Sequence, residues 1–104
     1  MNKPFEKYET YQIIWQNIQI EIRYCDYVAK VDEQTTIVHL EIKSQNCEPL
    51  PITETGYKSH FIAKCLIEEF GGPIEYATMW LDGEAKDNIA WQNYVSKSRQ
   101  LSLF

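Results

Sequence analysis

Apolar and polar positions alternate with period two through most of the first half of the chain. Tyr11, Ile13 and Trp15 share one face of a predicted strand over 11–15. Ile18, Ile20, Ile22 and Tyr24 alternate with Gln19, Glu21 and Arg23, which predicts a half-buried strand over 18–25, apolar inward and polar outward. Gln16 and Asn17 between them suit a two-residue hairpin turn, because Asn tolerates positive φ. The mixed segment 26–35 reads as a loop or an extended hairpin connection. The alternation returns over 36–43, where Val38, Leu40 and Ile42 oppose His39, Glu41 and Lys43. Three antiparallel strands with one apolar face need a cover, since such a meander is not stable alone in water.

The cover comes from the second half. Residues 44–58 form a long connection in which Pro49 and Pro51 bar regular structure and Gly56 makes a turn. After it the apolar spacing becomes helical. Ser59 is placed to cap a helix over 60–70, with Phe61, Cys65 and Leu66 inward and Glu68 and Glu69 outward. Gly71 and Gly72 end it, and Pro73 opens a second helix over 73–84 whose stripe is Ile74, Ala77, Trp80 and Leu81. Gly83 weakens its end. Asp87 or Asn88 caps a third helix over 89–98, with Trp91, Tyr94 and Val95 inward. The expected fold is therefore α+β: a three-stranded antiparallel meander followed by two to three helices packed on one face. Ile20, Ile22, Leu40, Ile42, Trp80 and Leu81 are its expected core. One domain spans 1–99, with residues 1–9 as a loose leader, and residues 100–104 stand apart as a tail.

Composition narrows the function classes. The chain has 104 residues, with 10 basic against 15 acidic side chains and a net charge of −5. That balance disfavours direct binding to nucleic acid, which needs Lys and Arg to replace phosphate counterions. No apolar run approaches the roughly 20 residues of a membrane span. With no apolar stretch for a signal peptide at the N-terminus, a cytoplasmic location is expected, and Cys25, Cys47 and Cys65 are expected as reduced thiols. No CxxC is present, and His39 and His60 lack metal-ligand spacing, so neither a metal nor a cofactor is implied. An unpaired sheet edge leaves a homodimer open.

Polar chemistry concentrates in two places. The segment holding Thr53, Glu54, Thr55, Lys58, Ser59 and His60 puts hydroxyls, a carboxylate, an amine and an imidazole within eight residues. It is a candidate polar loop site beside a helix start, yet it lacks the P-loop ending, and Ser, Thr and Gly are ordinary turn and cap residues. Pairing His60 with Ser59 or Cys65 offers a nucleophile and a base, but no nucleophile elbow marks either, and Cys65 falls on an apolar stripe. Glu68 and Glu69 read as a solvated helix face. The aromatics Trp15, Trp80 and Trp91 read as core rather than as a stacking platform, because their neighbours are not basic. No enzymatic activity is expected.

The second place is the tail Gln100-Leu101-Ser102-Leu103-Phe104. It resembles, at all five positions, the peptide Gln-Leu-(Ser or Asp)-Leu-Phe by which bacterial replication and repair proteins dock on the DNA polymerase β sliding clamp. Such a match at one fixed place has a chance probability on the order of one in several hundred thousand from ordinary residue usage. The resemblance implies that Leu103 and Phe104 enter the clamp's deep apolar pocket. By the same resemblance Leu101 lies in the adjoining groove, Gln100 hydrogen-bonds at the pocket's other end, and Ser102 is a small spacer. It implies a small adaptor or regulator of replication or repair. The rival reading is an acidic interaction or inhibitor protein of a plasmid, phage or other mobile element, with Leu101, Leu103 and Phe104 packed in its own core. The body, from Val38-His39-Leu40-Glu41-Ile42 through Pro49-Leu50-Pro51 to Gly56-Tyr57, faintly resembles small uncharacterised proteins of plasmids and mobile elements.

Overall fold

The computed structural model describes residues 7–101, with the backbone alone described for 98–101. Four strands come first: β1 (Glu9–Trp15), β2 (Ile18–Asp32), β3 (Thr35–Ser44) and β4 (Tyr57–Ala63). Three helices follow: α1 (Lys64–Glu69), α2 (Pro73–Asp87) and α3 (Ile89–Leu101). The strands form one antiparallel sheet in the order β1-β2-β3-β4. The fold is α+β, as the patterning predicts, with a fourth strand added.

The β1–β2 turn follows the expected chemistry. Gln16 and Asn17 both take positive φ, 48° and 65°, the conformation a two-residue hairpin requires. Ile20, Ile22, Leu40 and Ile42 are fully buried, and Ile67 of α1, Ala77 and Leu81 of α2, and Trp91 of α3 cover them. Trp15 packs on Trp91 with ring centroids 5.4 Å apart and the rings tilted by 44°, and its Nε1–H donates to Asp82 Oδ1 at 2.8 Å, which ties β1 to α2. Asn88 is the cap of α3: its Oδ1 accepts the Trp91 N–H at 3.0 Å, while its Nδ2 donates to Pro51 O at 2.9 Å and anchors the long connection.

Several expectations need correction. Residues 57–63 are a strand, not the first part of a helix over 60–70, and only the short α1 remains of that helix. Ser59 therefore caps nothing. Its side chain stands on the sheet, as does that of Phe61, which is 60 % exposed. Ile67 is the residue α1 buries, whereas Cys65 and Leu66 are exposed. The reason is register: a helix starting at Lys64 rather than His60 turns a different stripe inward. Of the two readings of 26–35, the extended hairpin connection holds and the loop does not. β2 runs on to Asp32, β3 starts at Thr35, and shifts in register between Cys25 and Ala29 and between Lys30 and Asp32 mark bulges. Glu9, assigned to the leader, opens β1. Trp80 is half-buried at the margin of the core rather than inside it. The second and third helices run on past the predicted 84 and 98 to Asp87 and Leu101.

The turn before β4 is tight. Ser44 N–H donates to Gly56 O at 2.8 Å, and Gly56 has φ +79°. A Cβ there would lie 2.5 Å from Ser44 Oγ and 2.7 Å from the Cys47 carbonyl carbon, so only glycine fits.

Candidate functional site

Among the described residues, the helices cover one face of the sheet and leave the other open. Cross-strand register lays the open face out in rows. One row is Gln12, Glu21, Lys43 and Tyr57, and the next is Thr10, Arg23, Glu41 and Ser59. Beyond them Cys25, His39 and Phe61 stand side by side, with Tyr8 just ahead of β1.

His39 is the centre of this surface. It is 7 % exposed, stacked on Phe61 at 4.3 Å between ring centroids and met edge-on by Tyr8 at 5.6 Å. Its Nδ1 hydrogen-bonds to Tyr8 Oη at 2.5 Å and its Nε2 to Ser59 Oγ at 2.6 Å. Burial holds its pKa below 6.5; Glu41 works against that shift and Arg23 with it. The neutral imidazole has one donor and one acceptor, so one of the two hydroxyls donates to the ring and the other accepts from it.

Glu41 closes the other half of the arrangement. Its carboxylate only accepts. Arg23 Nη1 donates to one oxygen at 2.6 Å, and Tyr57 Oη donates to the other at 2.5 Å. The Arg23 guanidinium also lies 4.3 Å over the Tyr8 ring, a cation–π contact that fixes the long side chain. The hydrogen bond to Glu41 pushes the Tyr57 phenol above its usual pKa, with desolvation adding and Ser59 opposing. Desolvation, chiefly, raises Tyr8 as well. Beside this array a cavity of about 420 Å³ is lined by Glu21, Arg23, Glu41, Lys43 and Tyr57.

The sequence candidates are dispersed. Thr53 and Thr55 bond to each other at 3.1 Å and to Tyr57 O, which closes a turn. Glu54 lies apart from them at an apolar cavity of about 220 Å³ beside Trp91 and Tyr94. Ser59 and His60, being adjacent in β4, point to opposite faces. Lys58 and His60 face the helices, where the His60 ring lies 4.7 Å from that of Trp80 and its Nε2 is 3.5 Å from Tyr76 Oη. Ser59 thus pairs with His39, not with His60 or Cys65. A serine hydroxyl beside a neutral imidazole is the contact of a nucleophile and its base, but here the far ring nitrogen meets a phenol. A carboxylate, the usual orienting partner of a base, is missing from that position. No group of three or more His, Cys, Asp or Glu fit for a metal occurs among the described residues. Among them, too, no helix is long and apolar enough to cross a membrane.

Tyr8, Arg23, His39, Glu41 and Tyr57 were not site candidates in the sequence. The alternation already put Arg23, His39 and Glu41 on one side of their strands. What it lacked was β4, which supplies Tyr57, Ser59 and Phe61.

The family model for the KlcB third domain matches residues 8–91. The chain belongs to the KlcB third domain family. The match takes in all four strands, α1, α2 and the start of α3, and therefore the whole open face from Tyr8 to Phe61. It ends at Trp91, ahead of the tail Gln100–Phe104. No curated protein and no solved structure matches the chain. Of the tail, the structure describes the backbone of Gln100 and Leu101, which is helical; their side chains and Ser102, Leu103 and Phe104 lie outside the described residues.

Proposed function

We propose that this KlcB-family chain is a non-catalytic binding module whose tail, Gln100–Phe104, docks on the bacterial DNA polymerase sliding clamp, and that it adapts or regulates replication or repair. The observation that carries this reading is the five-position match of Gln100-Leu101-Ser102-Leu103-Phe104 to the clamp-binding peptide. The course of α3 supports it. Its inward contacts among the described side chains end with Tyr94 and Val95, and Ser96 and Lys97 are exposed. The helical backbone continues to Leu101, roughly 9 Å beyond Val95 at 1.5 Å per residue. Trp91 lies about 15 Å back along the helix from Leu101, farther than the roughly 10 Å that three extended residues can span. Apolar anchors in a short peptide suit a partner's preformed pockets.

Calorimetric titration of purified clamp into the chain tests the proposal. Wild type should bind. Leu103→Ala with Phe104→Ala removes two anchors worth ~1.5–3 kcal/mol each when buried. The double variant should therefore bind roughly a hundredfold or more weaker, at about tenfold per 1.4 kcal/mol. Ser102→Asp should be nearly silent, since the peptide pattern accepts either residue. Under the rival reading, with the tail in the domain's own core, the double variant instead lowers the melting temperature of the isolated chain. A folded wild-type chain that gives no heat at tens of micromolar clamp rules the proposal out.

A further inference from the structure

The open face carries a charge pattern that is complementary to itself. Glu21 lies opposite Lys43, and one step along the strands Arg23 lies opposite Glu41, with the signs exchanged. Arg23 and Glu41 form the one ion pair among the described residues, so Glu21 and Lys43 face each other without closing. Two acids and two bases sum to zero, in a chain whose net charge is −5. The quartet therefore adds no net like-charge repulsion of its own when two copies meet through it.

We propose that the open face packs against the same face of a second copy, about a two-fold axis that runs along the strands between β2 and β3. That operation exchanges β2 with β3 and β1 with β4 across the interface while keeping position along the strands. Glu21 then lies over the partner's Lys43, and Arg23 over the partner's Glu41. In the outer strands Gln12 meets the partner's Tyr57, and Tyr8 meets the partner's Phe61, whose ring is 60 % exposed in the single chain. Every acid of the quartet gains a base, and each rim aromatic gains an apolar or amide contact. An isologous contact has to be self-complementary in this way.

The area sets the strength. Four strands at about 4.8 Å spacing and seven residues at about 3.3 Å give a face of roughly 450 Å² in projection. A standard interface takes about 800 Å² from each partner, so this dimer is weak and reversible. It does not depend on clamp binding, because the tail takes no part in it.

Sedimentation velocity of the full chain from about 10 µM to about 1 mM, the range in which so small an interface is populated, tests the proposal. Wild type should pass from monomer to dimer, and added salt should weaken the dimer. Glu21→Lys or Lys43→Glu alone should leave a folded monomer at the highest concentration. The double variant carrying both reversals should dimerise again. Because a single reversal sets like charges opposite each other within one sheet, each variant is checked by circular dichroism and melting. Should a reversal unfold the chain, Glu21→Gln and Lys43→Gln replace it, and each should weaken the dimer at least several-fold. A wild type that stays monomeric, a dimer indifferent to these changes, or a folded double reversal that stays monomeric overturns the proposal.

Discussion

His39 shows how a single residue couples stability to pH. The unfolded chain takes up its proton near 6.5, whereas the folded site, desolvated by Tyr8 and Phe61, takes it up at lower pH. His60 behaves alike, lowered first by burial and then by Lys58 and His39. Between the folded pKa and 6.5 the unfolded state therefore binds more protons, and stability falls as pH drops. The contribution is whole above about 6.5 and levels off below the folded pKa. The expected result is a melting temperature that declines from pH 7 to pH 5, with a smaller decline in His39→Gln. Equal slopes in the two proteins, read by differential scanning fluorimetry, contradict this. Alternation alone placed His39 on the polar side of β3. Its burial was not legible, because the covering rings come from residues 8 and 61, one lying in the expected leader and the other in an expected helix.

Among the elements, β4 was the one hidden from the pattern. Its helix-facing residues, Lys58, His60 and Ile62, are not an apolar alternation. They fit because Tyr76 and Trp80 lie over His60 and give it an aromatic neighbourhood. Phe61, Cys65 and Leu66 meanwhile recur at helical spacing by coincidence, since Phe61 belongs to the sheet. The strand hangs on the turn at Gly56. Gly56→Ala forces a positive φ on a residue with Cβ and drives that atom into Ser44 and Cys47. Strain of this kind costs about 1–3 kcal/mol before the clash is added. At about 4–8 °C per kcal/mol, the melting temperature should fall by roughly 10 °C or more. Hydrogen exchange should show 57–63 losing protection first, and a variant that melts like wild type would show that the turn can relax. The β2–β3 ribbon from Ala29 to Ile37 has the opposite property. A register shift interrupts its pairing between Lys30 and Asp32, and it reaches beyond the strand partners on its β1 side, where pairing ends at Tyr24. A two-stranded ribbon is marginal by itself, so its amides should exchange faster than those of Ile20–Tyr24.

For the whole molecule, the layering decides what is core and what is surface. The described residues form an elongated body of 55 × 28 × 19 Å, with the helices on one side of the sheet and the polar network on the other. Ile20 is fully buried in the core cluster that also holds Ala77, Leu81 and Trp91, so Ile20→Asp places an unpaired charge in that core and should unfold the chain. Native circular dichroism and melting in that variant would mean a register shifted by one. One buried polar atom stands out: Trp91 Nε1–H has no hydrogen-bond partner among the described residues. An unmet buried donor costs about 1–3 kcal/mol. Trp91→Phe keeps most of the packing on Trp15 and deletes that donor, so its melting temperature should change little in comparison with Trp91→Ala, which empties the site.

Local rules determined the parts of this protein whose signal lies within one element. Period-two alternation set β2 and β3 and the inward side of Ile20, Ile22, Leu40 and Ile42. Residues tolerant of positive φ set the β1–β2 turn, glycines ended α1, and the cap of α3 was narrowed to Asp87 or Asn88, between which the structure chose Asn88. The five residues at 100–104 carry their resemblance in their own order. Tertiary structure decided what depends on neighbours distant in the chain. It made 57–63 a strand, because β3 had a free edge to pair with. It buried His39 between Tyr8 and Phe61, and it brought Arg23, Glu41, Tyr57 and Ser59 from three strands onto one surface. Spacing along a chain reports which side of an element a residue occupies. Only the packing of elements against one another decides whether that side meets water, a helix or a second polar group.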